Sequence, residues 1–143
     1  MDPDYCYWLN PASEGTVTYL MQIITELRGL GFDEVVFYDY YVPESKQIVF
    51  KHDRAETLAK TAQTLVNTCT TDYFAESFTA STYFEPPTGR SRIFLQEILA
   101  TEAAASAAKF AFPDPQIRVV FLADVHDTRF NTFGVLRPLD AAH

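Results

Sequence analysis

Two short apolar runs, each closed by an aspartate, constrain the fold most. Val35-Val36-Phe37-Tyr38 runs into Asp39, and Val119-Val120-Phe121-Leu122-Ala123 runs into Asp124. Both runs are too apolar for a half-solvated strand and read as buried strands of a parallel sheet. Such sheets place their chemistry at the carboxyl ends of the strands, where the following loops converge. Two aspartates at that edge predict a site built from carboxylates.

The rest of the chain supplies alternating partners for these runs. Tyr5-Cys6-Tyr7-Trp8-Leu9 reads as a first strand. Asn10 is the expected N-cap of a helix with Pro11 at its first position. Val17, Leu20, Met21, Ile24, Leu27 and Leu30 form its apolar stripe, and Gly29 and Gly31 mark its end. Glu34 to Asp39 is the second strand. Gln47 to Lys51 reads as briefly extended. A second helix begins near Asp53, with Glu56 three residues on as in a capping box. A third strand is expected between Phe74 and Tyr83, with Ser77 to Thr82 the favoured register and Glu76 just before it. A turn-rich loop follows at Glu85-Pro86-Pro87-Thr88-Gly89. The alanine-rich segment Ser91 to Phe110 predicts a third helix, ended by Pro113 and Pro115. Arg118 to Ala123 is the fourth strand, with an irregular tail from Asp124.

The order β-α-β-α-β-α-β predicts an α/β fold with a parallel sheet and right-handed crossovers. The 143 residues fit one domain spanning 1–143. Four strands and three helices make either a small open α/β sheet or half of a (β/α)8 TIM barrel, whose complete form needs about 250 residues.

Composition narrows the function classes. The net charge of −8 argues against nucleic-acid binding, which needs a basic surface. No P-loop or Rossmann glycine signature is present, and no cofactor is expected. No apolar span of about 18 residues occurs, so no membrane span is expected. Met1-Asp2-Pro3-Asp4 lacks the basic and apolar regions of a signal peptide. The localisation stays open, with the extracellular side or cell surface expected if the chain is a piece of a secreted protein. Cys6 and Cys69 lack metal-ligand spacing and read as buried free thiols. His52, His126 and His143 are scattered, so no metal site is expected. Aromatics make up 15% of residues, and Tyr38, Tyr40, Tyr41, Tyr83 and Phe84 cluster in predicted loops. Such loops suit stacking on sugars or a subunit interface.

Three segments carry a family resemblance. They are Tyr7-Trp8-Leu9-Asn10-Pro11, Gly31 to Asp39, and Asp124-Val125-His126-Asp127-Thr128-Arg129-Phe130 with Gly134-Val135-Leu136-Arg137-Pro138. Together they resemble the later strands of glycoside hydrolase-like TIM barrels found in bacteria. The resemblance implies a (β/α)8 barrel, of which this chain is the carboxyl-terminal half, acting on a carbohydrate. The run after Asp39, Tyr40-Tyr41-Val42-Pro43, lacks the arginine that the family carries before its proline. A non-catalytic module binding a glycan or a protein is therefore the alternative.

A glycosidase needs two carboxyl groups, one as acid and one as base or nucleophile. Asp39 and Asp124 are the expected catalytic pair, on strands two positions apart in a closed barrel. The competing roles are a loop-capping aspartate for Asp39 and a turn residue or Arg129 partner for Asp124. Trp8, Asn10, Tyr41, Asp127 and Arg129 are the expected substrate-binding residues. The competing roles are favoured for these: a tryptophan such as Trp8 is more often core, Asn10 is better explained as a helix cap, and Asp127 with Arg129 as a salt bridge shaping the tail. Alternation along the strand sends Tyr38 and Tyr40 to the side opposite Asp39. A four-stranded parallel sheet leaves two free edges and one uncovered face, which predicts a homo-oligomer.

Overall fold

The computed structural model describes residues 8–139. It is an α/β fold with one all-parallel sheet of five strands in sequential order. The strands are β1 (Glu34–Phe37), β2 (Ala75–Thr79), β3 (Ile93–Gln96), β4 (Val119–Leu122) and β5 (Gly134–Leu136). The helices are α1 (Glu14–Gly29), α2 (Arg54–Cys69), α3 (Ala103–Ala108) and α4 (Pro115–Arg118). Short 3-10 turns lie at Ala100–Glu102 and Thr128–Phe130. The sequential order fits an arc of a βα barrel as well as a small open sheet.

One core holds the layers together. Ile24 of α1, Leu58, Ala62 and Leu65 of α2, and Ala103 and Ala107 of α3 share it with alternate residues of the strands: Phe78, Ile93, Leu95, Val119 and Phe121. The helices therefore cover a single face. Phe78 is fully buried, stacked on Phe37 at 5.2 Å and against Tyr40 at 4.7 Å between ring centroids. Burying a phenylalanine of this kind contributes about 1.5–3 kcal/mol.

Helix ends follow local chemistry. The Asp53 carboxylate accepts a hydrogen bond from the Glu56 amide at 2.8 Å and starts α2 as expected. At the end of α1, Gly31 has φ +95°, a left-handed turn that glycine adopts without strain. The start of α1 differs from expectation. Asn10 accepts from the Ala12 amide at 3.0 Å in a local turn, and the helix begins four residues later with Ser13 at its N-cap. Leu30 leaves the apolar stripe, because the helix has already ended and its side chain is 70% exposed.

Further expectations are corrected. Trp8 and Leu9 are irregular rather than strand, and the remainder of that expected strand lies outside the described residues. Residues 47–51 form no strand. The third predicted strand begins earlier, at Ala75, so Glu76 sits inside it and is fully buried. A carboxylate is tolerated there because the Thr70 hydroxyl donates to it, while burial pushes its pKa up. The largest change concerns residues 91–110. Ile93–Gln96 is a strand, and the helix shrinks to Ala103–Ala108. The apolar run Ile93-Phe94-Leu95 is buried between β2 and β4, which outweighs the helical preference of the alanines beyond it. Pro115 starts α4 instead of ending a helix. Gly134–Leu136 adds a fifth strand to the expected irregular tail.

Candidate functional site

The carboxyl ends of the strands form one edge, and three carboxylates sit on it. Asp39 follows β1 by two residues, Glu97 follows β3 directly, and Asp124 follows β4 by two. All three are exposed, and none makes a side-chain hydrogen bond or ion pair among the described residues. Asp39 and Glu97 have φ of +51° and +56°, the left-handed region that non-glycine residues seldom occupy.

A cleft of about 620 Å³ opens at this edge. Its polar lining is Tyr38, Gln96, Glu97, Asp124 and Arg137, set among Leu99, Leu122, Val125, Phe130, Leu136 and Pro138. Loops after β1, β3, β4 and β5 all contribute, as expected for a parallel sheet. Three apolar rim residues stay exposed, Leu99, Val125 and Leu136, as does the ring of Tyr38. The Arg137 guanidinium reaches the Val125 carbonyl only at 3.4 Å, which leaves most of its donors facing outward. The set combines hydroxyl-binding acceptors and donors with an aromatic wall.

A second cleft, about 640 Å³, runs between α1 and α2. Its lining includes Asp53, already engaged as the cap of α2, and Thr61, whose hydroxyl donates to the Pro11 carbonyl. Those polar groups hold the helices in place, so the strand-end cleft is the better candidate.

The expected site residues separate into groups. Asp124 lines the edge cleft, whereas Asp39 does not. The added strand explains this: β1 and β4 stand three positions apart rather than two. The left-handed residue at Asp39 also breaks the alternation assumed for its neighbours. Tyr38 turns toward the cleft, while Tyr40 enters the core on Phe37, Phe78 and Phe84 and donates its hydroxyl to the Leu58 carbonyl. Burial raises the Tyr40 pKa. Trp8 and Tyr41 pack together at 5.0 Å between ring centroids, away from the cleft. Asp127 caps the turn at Thr128–Phe130 and grips Arg129 with both oxygens, at 2.9 and 2.7 Å. The Arg129 hydrogen bonds hold the Asp127 carboxyl down to about 2. Asn10 lies in the turn before α1.

Gln96 and Glu97 were not legible as site residues, because they fall inside the expected third helix. The pattern that identifies them is the one seen at the other strand ends: an apolar run after a proline- and glycine-rich turn, stopped by polar residues. Cys69 is buried and free, and burial, then the nearby Glu76 carboxylate, raise its pKa. Cys6 lies outside the described residues. No group of three or more metal-ligating side chains occurs among the described residues, and no described helix is long and apolar enough to cross a membrane. No protein-family model, no curated protein and no solved structure matches this chain.

Proposed function

We propose that the chain is a carbohydrate-active segment of a glycoside hydrolase-like TIM barrel, acting on a glycan through carboxylates at the strand ends. The observation that carries this reading is the edge cleft, where Asp124 and Glu97 stand with Gln96, Arg137 and Tyr38. Carboxylates, an amide and a guanidinium satisfy sugar hydroxyls, and an exposed aromatic ring stacks on the apolar face of a pyranose. The barrel part of the reading rests on the resemblance of three sequence segments to such proteins. Turnover of a panel of aryl glycosides and polysaccharides, by the wild type and by Asp124→Asn, tests it. A wild type that neither binds nor cleaves any of them ends the carbohydrate reading.

The exposed apolar rim of Leu99, Val125 and Leu136 favours a second reading, a non-catalytic module that binds a glycan or a protein. Glycan binding without turnover selects it. The edges of β1 and β5, unpaired among the described residues, support a homo-oligomer. Sedimentation equilibrium at micromolar concentration checks that, and a monomer of 16.2 kDa refutes it.

A further inference from the structure

We infer that Glu97 is the carboxylate that works with Asp124, in place of Asp39. This rests on the carbohydrate-active reading above. Glu97 and Asp124 line one cleft, and they follow neighbouring strands paired in register, Gln96 opposite Leu122. Adjacent strands lie about 4.8 Å apart. Carboxyl groups that flank a glycosidic bond lie about 5–10 Å apart. Side chains leaving adjacent strand ends reach that separation easily. Asp39 follows β1, three strand spacings from β4, or about 14 Å along the sheet. What sets Asp39 aside is that it does not line the cleft, although its neighbour Tyr38 does.

Neither Glu97 nor Asp124 has a described side-chain partner, so neither is committed to holding the fold. The chemistry needs two such groups. As the bond from the anomeric carbon to the departing oxygen breaks, its electron pair passes to that oxygen, which takes a proton from one carboxyl group. Water bonds to the anomeric carbon and gives its proton to the other carboxylate. One proton then returns through solvent, so one water is consumed and both groups are regenerated.

Backbone geometry provides a clean test. Both Asp39 and Glu97 occupy left-handed conformations that glycine accepts, so Glu97→Gly and Asp39→Gly delete a carboxylate without straining the chain. The full-length chain is assayed on 4-nitrophenyl glycosides that the wild type cleaves, with thermal unfolding as the fold control. Glu97→Gly is expected to lower kcat about 10²–10⁴-fold and to remove one limb of the pH–rate profile. Asp39→Gly is expected to stay within about threefold of wild type, the range of an uninvolved surface change. Glu97→Gln, which keeps the side-chain shape, repeats the loss if the carboxyl group is what matters. The inference is overturned if Glu97→Gly keeps its rate, if it loses rate with both pH limbs intact, or if Asp39→Gly suffers the larger loss. A wild type that cleaves no glycoside ends the underlying reading rather than the choice between these two residues.

Discussion

Glu34 and Glu97 belong to opposite ends of the same sheet and to opposite regimes. Glu34 opens β1 and is held by the Arg92 guanidinium and the Ser77 hydroxyl. Those partners hold its pKa down against the opposing effect of burial. Arg92 also lies over the Phe94 ring at 5.3 Å, and Phe94 is buried. Glu76, near the start of β2, is likewise engaged, by Thr70. Glu97, Asp39 and Asp124 at the other end have no such partners among the described residues. Of these five carboxylates, the two spent on structure lie where the strands begin and the three uncommitted ones where they end; Asp127, paired with Arg129 after β4, is an exception to that division. Parallel α/β architectures show this division because only the carboxyl-end loops converge on a common space.

Exchanging an arginine for alanine at each end separates the two regimes. Arg92→Ala removes charge-assisted hydrogen bonds to Glu34 and the cover over Phe94. The expected loss is about 2 kcal/mol, toward the lower part of the range because the pair is partly exposed. Arg137→Ala, at the cleft, is expected to change stability by less than about 0.5 kcal/mol. Urea unfolding measures both. Equal losses mean that the cleft arginine also holds the fold, and the division between the two ends disappears.

The two structural glutamates respond to pH in opposite directions. Glu34 has a lowered folded-state pKa, so the unfolded chain binds its proton more readily. Its stabilisation is present above the unfolded value of about 4.3 and is lost as pH falls through the folded value. Glu76 has a raised folded-state pKa, so the folded chain binds its proton more tightly. Stability therefore falls as pH rises from about 4.3 through the folded value. Glu34→Gln is expected to destabilise at neutral pH by about 1 kcal/mol and to lose that effect in acid. Glu76→Gln is expected to stabilise at neutral pH by a similar amount, since a buried charge is replaced by a neutral amide. Midpoints of urea unfolding between pH 3 and pH 8 show the opposite tilts. Parallel curves for the two variants contradict the assignment of directions.

The sequence disclosed elements whose signals were local. β4 is an apolar run that is buried as read, β1 lies where its apolar run places it but is half-buried throughout instead of buried, and α2 carries its own cap in Asp53 with Glu56. Asp124 was legible as a cleft residue because its strand was placed correctly. The failures came from tertiary context. β3 is four residues long and adjoins an alanine-rich stretch, so its β character was hidden by the stronger helical signal of its neighbours. Losing β3 also hid Glu97 and set Asp39 one strand too close to Asp124. β5 is three residues with a glycine, below any periodicity threshold. Gly134 nevertheless fits there because an added Cβ lies 3.0 Å from the Val120 side chain. Glu76 was read as lying outside its strand because buried carboxylates are rare, and only the fold reveals the Thr70 hydroxyl that meets it.

The smallest expected effect bears most closely on the division between the two ends. A left-handed backbone costs an L-residue about 1–2 kcal/mol, while glycine gives back about 0.5–1 kcal/mol through its freer unfolded chain. Glu97→Gly is therefore expected to raise stability by about 0.5 kcal/mol, or one to two degrees in Tm by the usual scaling for a chain of this size. Asp39→Gly is expected to gain less, because aspartate tolerates the left-handed region better than glutamate does. Gly31→Ala, at φ +95°, should move the opposite way by about 1 kcal/mol, although nothing within 4 Å crowds its missing side chain. Differential scanning calorimetry of the three variants reads these shifts. A rise in Tm on replacing Glu97 by glycine means that its side chain contributes nothing to folding and leaves the carboxylate free for the cleft. A drop in Tm on replacing Glu97 by glycine means instead that its side chain holds the edge together, as Glu34 does at the other end.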